Sequence, residues 1–291
     1  MRHSLFNIQH SLFTIPTTRF APSPTGELHL GHAYAAKVAH DLAREHNGHF
    51  LLRHEDIDSS RVRKIYYSQI EEDLRWLGLN WDGDALRQSN RQDAYRDALE
   101  ILKQRGLVYP CFCTRKDIQQ SLSAPHGLTE HIYPGICRDI PASESAQRIA
   151  DGVAHAWRFN SNQAALIHGE LSFNDLRFGK TQVNPDANGD AVLARKDIGI
   201  AYHLAVVVDD AFQNITHVTR GDDLLESTHI HRQLQAVLGF PEPTYLHHRC
   251  ICDENGKRLA KRDDARSIRT LREQGHTPEG IKWMYEPEIG S

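Results

Sequence analysis

Two histidines three residues apart, His29 and His32, flank Gly31 in the stretch Glu27-Leu-His-Leu-Gly-His32. Imidazoles at that spacing share one face of a first helical turn. A helix start also carries free backbone N–H groups, and a glycine leaves the backbone open to close approach. Together these donors suit phosphate oxygens, and hold them more strongly as negative charge builds during a displacement. A zinc pair or two surface histidines are the alternatives. Zinc pairs on helices prefer i,i+4 with a third ligand nearby, which this stretch does not show. A second group is acidic: Glu55, Asp56 and Asp58 close the run His49-Phe-Leu-Leu-Arg-His54. A carboxylate there can hold an ammonium group or a ribose hydroxyl, while Asp58 can equally cap a following helix. A third group is Cys111-Phe-Cys113 with Cys137 beyond a Pro/Gly/Ser-rich loop. Three thiolates can hold Zn²⁺ and a fourth ligand closes the tetrahedron, Tyr133 and His131 being near at hand. Three buried apolar cysteines, or a four-cysteine site drawing on Cys250 and Cys252, are the alternatives.

The elements that must position these groups follow from pattern. Residues 17–21 form a short apolar strand, Pro22 and Pro24 break it, and Gly26 allows a tight turn. Residues 28–45 then repeat apolar side chains at helical spacing. Residues 50–57 are β-prone and apolar at their start, so the carboxylates fall at a strand's C-terminal end, where open parallel α/β sheets bind ligands. Helices follow over 61–78 and 91–106, closed by Gly78 and Gly106, and a short strand over 107–111. Strand-like pieces at 156–159, 171–175 and 191–197 belong to an insertion. Residues 204–208, Leu-Ala-Val-Val-Val, are continuous apolar β-formers and predict a fully buried parallel strand. A helix over 229–238 ends at Gly239. Cys250 and Cys252 alternate with Arg249 and Ile251 as core-facing strand residues would. The fold class is therefore α/β.

Bulk properties narrow the function. The 291 residues suffice for one large domain or a domain with an insertion, and carry a formal charge of −4. That charge does not advertise a nucleic-acid binder, yet residues 249–272 hold eight Lys/Arg against four Asp/Glu. No apolar run approaches membrane length. Residues 1–16 lack a basic start followed by an apolar block, so they predict a loosely held extension, not a signal peptide. Five cysteines, two pairs in C-x-C spacing, suit a reducing, cytoplasmic setting and a metal.

The run Arg19-Phe-Ala-Pro-Ser-Pro-Thr-Gly26 through His29-Leu-Gly-His32 resembles the HIGH signature of class I aminoacyl-tRNA synthetases in its glutamyl form. Further stretches agree in order along residues 17–272: Arg53-His-Glu-Asp-Ile-Asp58, Leu79-Asn-Trp-Asp82, Tyr202-His-Leu-Ala-Val-Val-Val-Asp-Asp210, Arg220-Gly-Asp222, and Arg258-Leu-Ala-Lys-Arg262. The last is similar to the KMSKS loop, with Arg in place of the first Lys and Ala in place of Ser. The resemblance implies a Rossmann-like parallel sheet with a zinc-containing insertion between its halves. The expected layout is 1–16 extension, 17–110 first catalytic half, 111–195 zinc-binding, acceptor-type insertion, 196–250 second half, and 251–291 basic loop and tail.

The resemblance also implies an activity. ATP, entering with Mg²⁺, would activate L-glutamate as an adenylate. His29, His32 and Lys261 would be catalytic, and Gly31 and Arg258 would join them in holding ATP. Arg19, Phe20, Ala21, Pro22, Ser23, Glu55, Tyr202 and Arg220 would bind glutamate, Glu55 its amino group. Arg19 and Arg220 would offer two guanidinium forks to one carboxylate, a geometry that suits glutamate better than glutamine's amide. Cys111, Cys113, Tyr133 and Cys137 would hold one structural Zn²⁺. The short stretch after the basic loop leads us to expect no anticodon-binding region, and in this the chain resembles the short glutamyl-queuosine tRNA(Asp) synthetases. Those activate glutamate without tRNA and esterify it to queuosine at the wobble position. The partners implied are ATP, L-glutamate and queuosine-bearing tRNA(Asp), with no membrane and a monomeric chain. The rivals are a glutamyl-tRNA synthetase charging a tRNA 3′ end, an activating enzyme with a non-tRNA acceptor, and a non-catalytic RNA-binding relative.

Overall fold

The computed structural model describes residues 15–114, 116–118, 133–196, 199–251 and 267–285. The predicted basic loop, with Arg258 and Lys261, lies outside the described residues, as do His131, Cys252 and residues 1–14.

The first half of the fold is a parallel unit. Strand β1 (Thr17–Phe20) pairs in register with β2 (His49–His54), and β2 with the short β3 (Leu86–Arg87). Helix α1 (Leu30–Glu45) crosses between β1 and β2, as parallel pairing requires. It buries Ala33, Ala36, Ala39 and Ala43 against the sheet, and these small side chains let helix and strand approach closely. Helices α2 (Ile65–Trp76) and α3 (Gln92–Gln104) follow; Gly78 and Gly106 just beyond them take positive φ, as their C-terminal turns demand.

The chain then leaves this sheet. β4 (Val108–Cys111), β5 (Ala156–Phe159), β8 (Val192–Arg195) and β9 (Gly199–Ile200) form an antiparallel sheet in that order. The segment between β5 and β8 does not stay with it. β6 (Ser172–Asp175) and β7 (Gly179–Gln182) form a hairpin whose first strand pairs with β11 (Thr244–His248). β11 in turn runs parallel to β10 (His217–Gly221). So part of the expected insertion completes the sheet of the second half.

Residues 202–210 differ from expectation. They are not a strand but the helix Tyr202–Phe212. Leu204, Ala205, Val206, Val207, Val208, Asp209 and Asp210 are all buried. A helix packed on every side shows no apolar stripe, so its valine-rich run imitates a buried strand. Cys250 also departs from its predicted place. Its sulfur is half-exposed, 3.0 Å from Asp223 Oδ1, while the neighbouring Ile251 enters the core.

The two parallel units meet at β1 and β10. The Thr216 N–H donates to Thr17 O at 3.0 Å, and the Thr17 N–H donates to Thr216 Oγ1 at 2.8 Å. From there β2 and β3 extend to one side and β11 to the other. This reversal of strand order opens a crevice at the strands' C-terminal ends. No helix among the described residues is long and apolar enough to cross a membrane.

Candidate active site

A cavity of about 750 Å³ fills that crevice. Arg19 and Phe20 reach it from the end of β1, Ala21, Pro22 and Ser23 from the following turn, and His32 from α1. Glu55 enters from the end of β2, Tyr202 from the start of its helix, and Arg220 from β10. The turn is pinned to β2: the Glu55 N–H donates to Pro22 O at 3.0 Å, and the Arg63 N–H to Pro24 O at 3.1 Å. Prolines supply the acceptors because they cannot continue β1's ladder.

His29 is the N-cap of α1, and its backbone N–H donates to His32 Nδ1 at 3.2 Å. A nitrogen that accepts carries no proton, so neutral His32 keeps its proton on Nε2. The two rings lie 3.8 Å apart. A Cβ on Gly31 would sit 3.1 Å from the His29 ring, so glycine makes room for that ring over the helix start.

The cavity's charges are linked. Arg19 Nε donates to Asp210 Oδ1 at 2.9 Å and its Nη1 to Thr219 O at 3.1 Å. Arg53, fully buried, lies 2.8 Å from the same Asp210 oxygen and 3.6 Å from Glu55. Burial would raise the Asp210 carboxyl pKa, but Arg19 and Arg53 outweigh it and hold the pKa below the ordinary range. Glu55 goes the other way. Burial is its largest influence, exceeds the pull of Arg53 and Arg19, and pushes its pKa up to about 7. Burial likewise raises the Tyr202 phenol.

Arg220 is held differently. Its Nε donates to His247 Nε2 at 3.0 Å, its Nη1 to His231 Nδ1 at 3.0 Å, and its Nη2 to Thr228 Oγ1 at 2.6 Å. Among the described residues no carboxylate lies within ion-pair distance of it. Arg19 and Arg220 thus line one cavity, as expected, but Arg19 shares a carboxylate and Arg220 does not.

The thiol cluster is also assembled. The sulfurs of Cys111, Cys113 and Cys137 lie within 4.8 Å of one another. Tyr133 Oη is 3.3 Å from Cys111 Sγ and 3.5 Å from Cys113 Sγ, and accepts the Cys137 N–H at 3.0 Å. The Arg158 guanidinium lies 3.6 Å from the centre of the Tyr133 ring. Burial opposes ionisation of Cys111, yet Tyr133 and Arg158 prevail and lower its pKa, while burial pushes Cys113 up to about 12. Three sulfurs and an oxygen converging beside a cation form a donor set that fits a tetrahedral thiophilic metal.

The sequence pattern described as tRNA synthetases class I (E and Q), catalytic domain, matches residues 16–283. The chain belongs to this family. This class I synthetase catalytic domain is 50% identical over 274 residues to glutamyl-Q tRNA(Asp) synthetase of Rhodobacter capsulatus, spanning 91% of this chain and 98% of that one. It is 44% identical to the protein of the same name from Symbiobacterium thermophilum, spanning 90% and 83%. Against glutamate–tRNA ligase of Aquifex aeolicus the identity is 40%, over 91% of this chain and 55% of the ligase. A glutamate tRNA ligase from Elizabethkingia meningosepticum, solved in complex with its amino acid, superposes with a TM-score of 0.79 at 28% identity, covering 94% and 60%.

Sequence reasoning about this synthetase domain missed Asp210, His231 and His247. Asp210 had a signal, an acidic pair closing an apolar run. The histidines had none, because their partner Arg220 comes from another element.

Proposed function

We propose that this synthetase domain activates L-glutamate with ATP and transfers it to queuosine in tRNA(Asp). The observation that carries the glutamate assignment is how the buried charges at the cavity are paired. Among the buried groups Arg19 and Arg53 pair with Asp210 and Glu55, while Arg220 meets only neutral side chains among the described residues. A side-chain carboxylate, which L-glutamate carries and glutamine lacks, gives Arg220 its counter-charge. Glu55 receives the ammonium group and Arg220 the side-chain carboxylate, with Arg19 and Tyr202 completing the pocket.

The α-carboxylate oxygen then attacks the α-phosphorus of ATP, a P–O bond forms, and the bond to pyrophosphate breaks. His32 donates through Nε2–H, and His29 and the N–H groups at the start of α1 add positive potential as charge grows. Lys261 stabilises the departing pyrophosphate, Arg258 and Gly31 help hold ATP, and Mg²⁺ bound to ATP shields its phosphates. A queuosine hydroxyl next attacks the acyl carbon, AMP leaves, and the hydroxyl proton passes to solvent. No residue is assigned as a general base. What supports queuosine as acceptor is the likeness to the relatives named for that reaction. Cys111, Cys113, Cys137 and Tyr133 hold one Zn²⁺ in a structural role.

Glutamate-dependent exchange of labelled pyrophosphate into ATP, without tRNA, tests the first step. Exchange with glutamate and about 100-fold less with glutamine is expected. No exchange with glutamate, or equal rates with both, contradicts the assignment.

A further inference from the structure

Arg220 sits at the centre of a chain of polar groups that spans five elements. On one side Asp175, at the end of β6, accepts from His247 Nδ1 at 2.6 Å and from the His247 backbone N–H at 3.1 Å. The Arg177 and Phe178 N–H groups also donate to Asp175, at 2.8 and 2.9 Å. Asp175 therefore fixes the His247 proton on Nδ1 and leaves Nε2 as an acceptor facing Arg220 Nε. On the other side His231, in the helix Ser227–Leu238, turns Nδ1 to Arg220 Nη1. An always-charged guanidinium requires an unprotonated partner there, so the His231 proton is on Nε2, which lies 3.1 Å from His203 Nδ1. Each histidine thus has one tautomer that satisfies all its neighbours.

Both histidines are neutral for the same physical reason. Burial first, and the Arg220 charge next to His231, push the pKa of His231 well below its ordinary value; burial likewise lowers His247. They orient Arg220 without cancelling its charge. A carboxylate in either place would orient it as well but would neutralise it, which is the situation of Arg19 beside Asp210. The three contacts to His231, His247 and Thr228 use one N–H on Nε and one on each Nη. By count one N–H remains on each Nη of this cavity-lining side chain, two donors for the two oxygens of one carboxylate.

We propose that His231 and His247 are positioning residues for substrate selection, holding the Arg220 guanidinium as an oriented cation with no carboxylate in direct contact, so that it accepts a side-chain carboxylate and rejects an amide. This rests on the glutamate reading above and adds to it two residues that touch neither substrate nor ATP.

The test is pyrophosphate exchange with glutamate and with glutamine for wild type, His231→Leu, His231→Asn, His247→Leu and His247→Gln. Asn keeps an acceptor near the place of Nδ1 and Gln near that of Nε2. Loss of one acceptor should raise KM for glutamate roughly 10–100-fold and shrink the glutamate:glutamine preference by a similar factor, with KM for ATP unchanged within about twofold. The Asn and Gln variants should recover most of that loss. Leu variants that melt earlier but keep KM and preference within about twofold of wild type overturn the proposal, because they show a purely structural role. Should a Leu variant fail to fold, the Asn and Gln variants decide: a glutamate:glutamine preference reduced about tenfold or more despite the retained acceptor overturns the proposal. Wild type that shows no glutamate-dependent exchange refutes the glutamate reading itself, and the positioning role with it.

Discussion

Glu55 is the residue whose environment makes the sharpest statement about activity. Its carboxyl is only 14% exposed, and burial lifts its pKa to about 7. The ionised form is the one that holds an ammonium group, so binding competence is gained as pH rises through the folded-state value. In the free enzyme kcat/KM for glutamate should therefore fall below about pH 7, approaching tenfold per pH unit. Glu55→Gln should lower kcat/KM about 100-fold or more and remove that limb of the profile. A pH profile unchanged by the substitution, measured by exchange between pH 5.5 and 8.5, would show that another group titrates. Pattern alone narrowed the choice to Glu55, Asp56 and Asp58 at a strand end, and the choice of Glu55 among them came from the family resemblance. The companion Asp210 was less legible: it anchors Arg19 and Arg53 from nearly 200 and 160 residues away in sequence, a pairing no local spacing records.

Elements were legible where one face is apolar and the other wet. α1 and α3 announced themselves through spacing and through a turn or glycine at an end, and β1 and β2 through short apolar runs bounded by breakers. The helix Tyr202–Phe212 was not, since burial on all sides erases periodicity and valine favours the strand reading. The sheet to which the β6–β7 hairpin belongs was not legible, because membership depends on pairing with β11, far along the chain. One glycine carries a strong expectation. A Cβ on Gly48 would lie 2.0 Å from Pro16 O, the acceptor of the His49 N–H at the mouth of the β1–β2 pair. Gly48→Ala should cost about 2–4 kcal/mol and lower Tm by roughly 5–10 °C in a calorimetric scan. A shift below 1 °C would mean that the strand entry yields more easily than its packing implies. The cysteine cluster makes a second claim at this scale. Purified protein should contain about one zinc per chain, and Cys137→Ala should lose most of it with a fall in Tm. Full zinc content in Cys137→Ala by elemental analysis would remove that residue from the site.

At the scale of the whole molecule, two parallel units meet at β1 and β10, and the chemistry gathers where they part. Neither half lines the cavity alone: β1, α1 and the end of β2 supply Arg19, His32 and Glu55, while β10 and the helix Tyr202–Phe212 supply Arg220 and Tyr202, with Asp210 holding Arg19. The motifs at residues 19–32, 53–58, 202–210 and 220–222 made this architecture readable, because each lies at a strand end or helix start and helps line the same crevice. The histidine shell around Arg220 was unreadable, as it exists only once β6, β10, β11 and the helix Ser227–Leu238 are assembled. The central claim is that glutamate activated in this crevice is delivered to queuosine. The direct measurement is transfer of labelled glutamate to tRNA(Asp) with and without queuosine, each also with its 3′ end destroyed by periodate before queuosine is installed. Label that requires queuosine and persists on the 3′-blocked tRNA is the predicted result. Label that ignores queuosine and disappears when the 3′ end is blocked would make this a 3′-charging enzyme and contradict the account.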